Sequence, residues 1–546
     1  MRIALAQLNY HIGNFESNTK KIIDHITAAK DQGADLVVFA ELAVCGYPPR
    51  DFLEFEEFIT LCDQAVKEIA AHSKGIACIV GSPVKNDAVA GKDLYNAAYF
   101  IEDGEIKSIV KKALLPNYDV FDEYRYFEPA NQFDCIDYKG TRIALTICED
   151  LWNINNNPLY VSNPMDVLIS QQPDVMINIA ASPFSYQHDD ERRTVLSGNA
   201  KKYGLPLLYV NQVGAQTEII FDGGSMVYDK EGTLLDEMAY FKEHLKVYTL
   251  SGRQIEGYGQ LAHVPVPDIA QIHDALVLGI KDYFSKSGFS KAVLGLSGGI
   301  DSAIVCALAC RALGPENVMA VLMPSKYSSD HSIKDAMDLV ENFGCKHQVI
   351  PIKDAADALD SMMAPAFEGL PFNLTEENIQ ARIRGVVVMA MSNKFGYILL
   401  NTSNKSECAV GYGTLYGDMC GAIGVIGDVY KTQIYALAHY INKDGEVIPE
   451  NTIVKPPSAE LRPGQKDSDS LPDYDTLDAI LYQFIELKQS SKAIIAQGFD
   501  EELVRRIMKM VNAAEFKRYQ TPPILRVSPK AFGMGRRMPI VGKYLS

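Results

Sequence analysis

The sequence lacks the features that mark membrane-spanning, disulfide-bonded and nucleic-acid-binding proteins. Its 546 residues include one tryptophan and ten cysteines, and the cysteines form no CxxC pair and no His/Cys cluster at zinc spacing. No run of about 18 apolar residues occurs, so we expect no membrane partner. No basic segment followed by a long apolar stretch opens the chain, so we expect no secretory signal. The sparse cysteines are typical of a reducing compartment, which predicts a cytoplasmic protein.

Basic residues are fewer than acidic residues in this chain. The chain has 52 Lys and Arg against 69 Asp and Glu, a net charge of −17. A nucleic-acid binder needs clustered Lys and Arg to neutralise phosphates, so nucleic acid is not an expected partner. One stretch reverses the balance: residues 516–546 contain seven basic residues and no acidic one. This reversal favours a segment that folds over an anionic substrate, and the alternative is a basic tail that pairs with acidic surface elsewhere.

The length exceeds what one hydrophobic core ordinarily serves, so two domains are expected. Residues 1–250 alternate short apolar runs with helical stretches, which predicts a layered α/β domain. A hairpin is predicted at the Asp103-Gly104 turn and another over 223–238. Residues 270–546 are predicted to begin with a helix. A strand–loop–helix–strand unit follows, typical of a doubly wound parallel sheet that binds nucleotides. The segment between them, 251–269, lacks periodicity and predicts a linker.

Two further stretches of the second half carry structural predictions. Residues 462–478 are rich in Pro, Ser and Asp, which predicts a surface loop. Cys306 and Cys310 lie four residues apart in an apolar helical run, so we interpret them as core residues rather than metal ligands.

Reactive side chains stand at the ends of three apolar runs in the first half. Glu41 ends LVVFAE, Cys148 ends ALTIC, and Lys111 and Lys112 both follow IKSIV. The ends of strands are where α/β sheets present chemistry. A carboxylate can take the proton of a thiol, and an ammonium can stabilise the oxyanion that forms when the thiolate attacks a carbonyl.

The contexts of these residues resemble the three signatures of the nitrilase-like amidase family. The segments are FAELAVCGYPPRD, KKALLPNYDVFDEYRYFEP and LTICEDLW, in that order. The resemblance implies an αββα sandwich in which Glu41 is the general base and Cys148 forms a thioester. It places the oxyanion-supporting lysine four residues before a proline, which selects Lys112 before Pro116. Amidase chemistry of this kind releases ammonia from a carboxamide.

The same resemblance implies a site for L-glutamine. Tyr118 and Ser182 would contact the substrate, and relatives carry Lys or Arg six residues after that serine. This chain has His188 there. Arg192 and Arg193 are the alternatives for the missing basic residue.

A second motif, VLGLSGGIDSAIV, places glycines and serines between a strand and a helix. Glycines let backbone N–H groups approach an anion, and the following helix N-terminus adds a favourable dipole. No Lys follows the second glycine, so this is not the Walker pattern. The acidic Asp301 suits a phosphate loop only where Mg²⁺ bridges the two.

SGGIDS is the fingerprint of the ATP pyrophosphatase family, which cleaves ATP to AMP and pyrophosphate. Five further segments resemble NAD⁺ synthetases: ENIQARIRG (377–385), ILLNTSNKSECAVGYGTLYGD (398–418), GDVYKTQIY (427–435), KPPSAELRP (455–463) and AEFKRYQTPPILRVSPKAFGMGRR (514–537). The resemblance implies a Rossmann-like ATP pyrophosphatase domain. With the amidase-like half in front, the chain is similar to the glutamine-dependent members of that family.

The resemblance assigns roles by position. It implies ATP contacts from Gly295, Leu296, Ser297, Gly298, Gly299, Ile300, Asp301, Ser302, Thr402 and Lys431. It implies Mg²⁺ ligands at Asp301 and Glu407. It implies deamido-NAD⁺ contacts from Asn378, Arg382, Glu407 and Lys517. The expected reaction is ATP-dependent amidation of deamido-NAD⁺ by a homo-oligomer, a dimer or larger.

Other functions stay open at this point. One is a glutamine-dependent ATP pyrophosphatase that amidates a different acid, although the NTSNKSE and YGD segments argue against it. Another is a nitrilase-type hydrolase with a regulatory nucleotide domain. A binding protein with inactive sites is disfavoured because both reactive sets are intact.

Overall fold

Two β-sheets packed face to face form the first of two units, Met1–Pro265. The computed structural model describes residues 1–154, 159–261 and 265–544. The strands of this unit are β1 (Arg2–Gln7), β2 (Leu36–Val38), β3 (Ala77–Lys85), β4 (Leu94–Glu102), β5 (Glu105–Lys111), β6 (Ile136–Tyr138), β7 (Thr141–Ile147), β8 (Val175–Ala180), β9 (Leu207–Asn211), β10 (Val213–Gln216), β11 (Ile219–Asp222), β12 (Met226–Tyr228), β13 (Leu234–Glu237), β14 (His244–Ser251) and β15 (Gln254–Glu256). Its helices are α1 (Phe15–Asp31), α2 (Glu56–Ala71), α3 (Glu123–Tyr126), α4 (Pro164–Leu168) and α5 (His188–Tyr203).

The alternation of side chains along β1 shows how the layers form. Ile3 and Leu5 join a core that also holds residues of the second sheet, such as Ile143 and Leu145. Ala4 and Ala6 face the other way, into a core shared with α1 and α2, because successive strand residues point to opposite faces. The seven-stranded sheet has the order β15-β14-β1-β2-β3-β4-β5 and the six-stranded sheet the order β13-β12-β9-β8-β7-β6. The αββα sandwich is confirmed.

The predicted hairpins are confirmed as well. β4 and β5 pair antiparallel around Asp103 and Gly104, whose φ angles are +49° and +90°. β12 and β13 pair antiparallel within 223–238. The structure differs inside the segment predicted as a linker, because β15 pairs with β14 there and the next helix begins at Asp268.

A parallel five-stranded sheet forms the centre of the second unit, Val266–Ser546. Its strands are β16 (Ala292–Gly295), β17 (Val318–Leu322), β18 (Lys346–Val349), β19 (Ile398–Asn401) and β20 (Ile423–Gly424). Its helices are α6 (Asp268–Lys286), α7 (Ile300–Leu313), α8 (Asp330–Phe343), α9 (Lys353–Met363), α10 (Leu374–Phe395), α11 (Lys405–Val410), α12 (Lys431–Ile441), α13 (Glu450–Val454), α14 (Tyr474–Ile485), α15 (Ser491–Ile495), α16 (Glu501–Ala513) and α17 (Glu515–Arg518).

The strand order of this sheet locates its binding crevice. The order is β18-β17-β16-β19-β20, and every pair is parallel. The direction of winding reverses between β16 and β19, and ligands of doubly wound sheets bind beyond the carboxyl ends of the strands at such a point. The SGGIDS loop follows β16, and Thr402 follows β19. The doubly wound fold is therefore confirmed. Across the described ranges, no helix has the length and apolar character needed to cross a bilayer.

Candidate active sites

Cys148 lies in a sharp turn at the carboxyl end of β7. It begins the 3₁₀ helix Cys148–Leu151 and has a φ of +43°, which is uncommon for a residue with a side chain and frequent at functional sites. The buried carboxylate of Asp150 supports the turn, because it accepts hydrogen bonds from the backbone N–H groups of Ile147, Ala113 and Leu114 at 2.9–3.0 Å. The turn thus ties the thiol to the segment that follows Lys112.

Lys112 is fully buried between two carboxylates. Its Nζ lies 2.7 Å from Oε1 of Glu41 and 2.8 Å and 2.9 Å from the two oxygens of Glu123. Asn96 donates to both carboxylates, at 2.7 Å to Glu41 and 3.2 Å to Glu123. The second oxygen of Glu41 accepts from the backbone N–H of Ala181 at 3.0 Å. The two carboxylates stabilise the charged lysine, and the bonds from Lys112, Asn96 and Ala181 fix the orientation of Glu41.

The charges of this network act on Cys148. Burial raises the pKa of the Cys148 thiol, and the nearby charge of Glu41 raises it further, while Lys112 opposes both. Burial alone would lower the pKa of Lys112, but the charges of Glu123 and Glu41 outweigh it and raise that pKa. A buried thiol of raised pKa is protonated at neutral pH, so its attack on a substrate requires a base, and Glu41 is placed to act as one.

The sequence analysis did not predict a role for Glu123. It is buried in α3, eleven residues after Lys112 (123 − 112), and it also accepts from the hydroxyl of Tyr47 at 2.8 Å. Burial raises its pKa, while Lys112 opposes this. Its short helix has no amphipathic pattern that a sequence reading could detect.

The residues predicted to contact glutamine form two hydrogen-bonded groups, and the charge of Glu149 in the first group raises the pKa of the Cys148 thiol. The hydroxyl of Tyr118 donates to both oxygens of Glu149 at 3.1 Å, and Tyr160 donates to one of them at 3.0 Å. Burial raises the pKa of Glu149 to about 7. In the other group, Oγ of Ser182 lies 3.3 Å from Nε2 of His188. Glu149 adds a carboxylate that the sequence reading did not assign.

His188 takes the position at which relatives carry a basic residue. Its ring stacks on Trp152 with 5.2 Å between the ring centres, and its Nδ1 lies 3.4 Å from Glu191. The two alternatives are engaged elsewhere. Arg192 is fully buried and binds both oxygens of Asp222 at 2.9 Å and 3.0 Å, and Arg193 pairs with Glu237 at 3.0 Å. Of His188, Arg192 and Arg193, the described hydrogen bonds join only His188 to Ser182.

The second site is a cavity of about 580 Å³ at the switch point of the parallel sheet. Most of the predicted ATP contacts line it together, namely Gly295, Leu296, Ser297, Gly299, Ile300, Asp301, Ser302, Thr402 and Lys431, and so does Glu407. The loop is braced internally, since Oγ of Ser302 accepts from the N–H of Ser297 at 3.2 Å and donates to the carbonyl of Gly299 at 3.0 Å.

Asp301 and Glu407 bring two carboxylates to the same wall of the cavity. Asp301 forms an ion pair with Lys431 and accepts from Nδ2 of Asn404 at 2.9 Å. Asn404 caps α11 by accepting from the N–H of Glu407 at 2.9 Å, and Glu407 accepts from the N–H of Asn404 at 3.2 Å. Burial raises the pKa of Glu407 well above its usual range, and the charge of Asp301 adds to this. Two acids that repel each other next to a phosphate loop suit a bridging divalent cation.

The residues predicted to contact deamido-NAD⁺ do not all line the cavity. Asn378, Arg382 and Lys517 instead converge on the loop 411–415. Nζ of Lys517 donates to the carbonyls of Gly411 and Gly413, both at 2.8 Å. Oδ1 of Asn378 accepts from Thr414 at 2.7 Å, and Arg382 donates to the carbonyl of Leu415 at 3.2 Å. The cavity wall includes Tyr412 of this loop and Gly417, which follows it.

The structure corrects two predictions about the second half. In the part of the chain that is described, none of the seven basic residues of 516–546 lines the cavity. Arg518 and Arg536 both pair with Glu515, at 2.6 Å and 2.7 Å, because α17 supplies its own acidic partner just before the basic stretch begins. The stretch 462–478 does not simply form a surface loop, since Asp467 is buried, lines the cavity and accepts from Tyr474 at 2.8 Å.

Gly298 gives a test of the loop backbone. Its φ is +81°, and a Cβ there would lie 2.1 Å from the carbonyl oxygen of Ser332 in α8. We expect Gly298→Ala to lower the free energy of unfolding by about 2 kcal/mol, because the left-handed conformation and the backbone clash both oppose the side chain. Chemical denaturation monitored by circular dichroism measures it. The control is Gly299→Ala, whose φ is −78° and whose Cβ would meet only the Ser297 hydroxyl at 3.3 Å. Equal losses in both variants would contradict the prediction.

Comparisons with known proteins find matches to both halves of the chain. The carbon-nitrogen hydrolase family model matches residues 2–258, and the NAD synthase model matches residues 272–521. The chain is 47% identical over 547 aligned residues to a glutamine-dependent NAD(+) synthetase of Synechocystis sp., covering 98% of both chains. It is 39% identical to that of Thermotoga maritima, covering 100% of this chain and 99% of the relative. A solved glutamine-dependent NAD⁺ synthetase of Acinetobacter baumannii, in complex with ADP, is 38% identical with a TM-score of 0.79, covering 100% and 99% of the two chains.

Proposed function

Because the chain belongs to the family of glutamine-dependent NAD(+) synthetases, we propose that its first unit releases ammonia from L-glutamine and its second unit uses that ammonia to amidate deamido-NAD⁺. The enzyme is a ligase that forms a C–N bond with ATP as co-substrate. The observation that carries the proposal is the pair of complete reactive sets: Cys148 beside the Glu41–Lys112 network, and Asp301, Glu407 and Lys431 in one nucleotide-sized cavity.

At the first site, Glu41 takes the proton of Cys148 and the thiolate attacks the side-chain amide carbon of glutamine. Lys112, held in place by both carboxylates, supports the negative charge on the former carbonyl oxygen. The C–N bond breaks, ammonia leaves with the returned proton, and a thioester remains on Cys148. Water then hydrolyses the thioester and releases glutamate.

Around the nucleophile, Tyr118, Ser182 and His188 are proposed to contact the bound glutamine. Ser182 and Tyr118 belong to different groups. Ser182 is hydrogen-bonded to His188, and Tyr118 is hydrogen-bonded to the buried carboxylate of Glu149. A free amino acid presents both a carboxylate and an ammonium. The Ser182–His188 pair and the Tyr118–Glu149 pair offer polar partners for these two charges.

At the second site, the nicotinate carboxylate of deamido-NAD⁺ attacks the α-phosphate of ATP. The bond to pyrophosphate breaks, and an acyl adenylate forms. Ammonia then attacks the acyl carbon, AMP leaves, and the carboxamide of NAD⁺ remains. The loop Gly295–Ser302, Thr402 and Lys431 are proposed to hold ATP, because they line the cavity beyond the strand ends.

Mg²⁺ is proposed at Asp301 and Glu407. The donor set fits this ion, because two carboxylates share one wall with a phosphate loop and the buried Glu407 has no lysine as its direct ion-pair partner among the described pairs, whereas Asp301 has Lys431. With Mg²⁺ bound, the site would gain the positive charge that neutralises a leaving pyrophosphate.

Asn378, Arg382 and Lys517 are proposed to position deamido-NAD⁺ through the loop 411–415, to which all three are hydrogen-bonded. Glu407 is proposed to lie at the boundary of the two substrates. We further propose a homo-oligomer in the cytoplasm. The homo-oligomeric state rests on family resemblance. The cytoplasmic location is supported by the ten cysteines, which are all free thiols.

Product analysis tests the proposal as a whole. With ATP, L-glutamine and deamido-NAD⁺, we expect NAD⁺, AMP and pyrophosphate in equal amounts, with glutamate at least equal to NAD⁺. Xanthylate or aspartate in place of deamido-NAD⁺ should give no amide. Amidation of another acid alone would favour a different amidating enzyme. Glutamate release with no AMP under any acceptor would favour a hydrolase with a regulatory nucleotide domain.

A further inference from the structure

Three buried thiols converge in the second unit, and the proposed reaction uses none of them. Cys306 and Cys310 lie one helical turn apart on α7, and Cys345 lies between α8 and β18. Their sulfur atoms all lie within 4.8 Å of one another, and Sγ of Cys306 is 4.0 Å from Sγ of Cys345. Cys306 and Cys310 are buried, as predicted for core residues, and Cys345 joins them as a third thiol that the sequence did not indicate.

Local backbone geometry brings the three together. Residues four apart on a helix share one face, which aligns Cys306 with Cys310. Gly344 ends α8 with a φ of +67°, and the N–H of Cys345 still reaches the carbonyl of Val340 at 3.3 Å. This turn directs Cys345 back against α7 before the chain enters the exposed edge strand β18.

The distances suit a metal ion better than a disulfide. Metal–sulfur bonds of about 2.3 Å in a trigonal plane place sulfurs about 4.0 Å apart, which matches the Cys306–Cys345 separation. A disulfide requires the same two sulfurs to approach to about 2.05 Å and would leave Cys310 unused.

We propose that Cys306, Cys310 and Cys345 bind a soft, thiophilic metal ion through three sulfurs, with monovalent copper as the class of ion that fits. Thiolate ligands select soft ions, and structural zinc almost always takes four ligands. Within the described residues, no His, Asp or Glu joins this group as a fourth ligand. The sulfurs bind as thiolates, their protons pass to solvent, and no atom changes oxidation state.

Two further features support the site. The three residues are 0%, 4% and 6% exposed, which protects a bound ion from water, while the neighbouring strand β18 is exposed along its length and gives a path of entry.

The test is a titration of the reduced, full-length chain with monovalent copper under anaerobic conditions, in competition with a chromogenic copper(I) chelator. We expect the wild type to withhold one more ion per chain than Cys345→Ser or Cys310→Ala, and to melt at a higher temperature with the ion than without it. The control Cys135→Ser removes a half-buried thiol of the first unit and should behave as wild type.

Protection from alkylation keeps the test decisive if a variant fails to fold. In the wild type, copper should shield Cys306, Cys310 and Cys345 from a thiol reagent in peptide mass spectra after brief denaturation. Equal copper retention in wild type and both variants, or no shielding of these three residues, would overturn the proposal. So would tighter retention of Zn²⁺ than of copper, or a Cys306–Cys345 disulfide in place of a bound ion.

Discussion

Cys148→Ala is expected to stop glutamine-driven NAD⁺ formation and to leave the ammonium-driven reaction at the wild-type rate. The substitution removes the sulfur that forms the thioester and leaves the hydrogen bonds from Lys112 to Glu41 and to Glu123 in place. Losses on removal of a nucleophile are large, and we expect at least about a 1000-fold fall in glutaminase activity. The measurement compares NAD⁺ formation with glutamine and with ammonium chloride as nitrogen donor.

The control for this result is Cys135→Ala, which removes another thiol of the same unit. Cys135 is half-buried, and its sulfur contacts only the carbonyl of Leu168 among the bonds described for it, at 3.8 Å. This variant should keep both reactions. Loss of both reactions in Cys148→Ala, or survival of both, would show that the two units do not divide the chemistry as proposed.

The sequence sufficed for the parts of both sites that are local in the chain. Cys148 stands directly after β7, and the SGGIDS loop joins β16 to α7. In each case a hydrophobic run marks the strand and the next residues carry the chemistry, so position follows from pattern. The pairing of β16 with β19 then brings Thr402 and Glu407 to that loop.

Residues whose partners are distant or irregular escaped the sequence reading. Glu123 contacts Lys112 only because a non-repetitive segment folds it back. Cys345 joins Cys306 from 39 positions away (345 − 306), and no spacing rule covers such a group. The charge count over 516–546 was misleading because Glu515, which pairs with two of its arginines, lies one residue outside the window. Charge totals do not reveal partners.

Asp301→Asn is expected to abolish NAD⁺ formation with either nitrogen donor while leaving glutaminase activity intact. Asn404 and Lys431 donate to different oxygens of Asp301, and asparagine keeps only one of these oxygens. The variant therefore keeps the size of the side chain but removes its charge and one of the two hydrogen bonds. Without that charge, Glu407 is the remaining carboxylate of the pair, and the cation that we propose there loses a ligand. We expect a fall of at least about 100-fold, the size typical for loss of a major charge-stabilising group.

The matched control is Asp338→Asn, an aspartate of the same unit whose side chain is 39% exposed and pairs with Lys334 one turn away on α8. Surface pairs of this kind contribute little, so the control should be active with both donors. The comparison also separates the two sites in one pair of assays. If Asp301→Asn releases glutamate but forms no NAD⁺, the Asp301 carboxylate belongs to the amidation step. A full ammonium-driven rate in this variant would contradict the assignment of Asp301. It would mean that amidation proceeds with Lys431 in the cavity but without the Asp301 carboxylate.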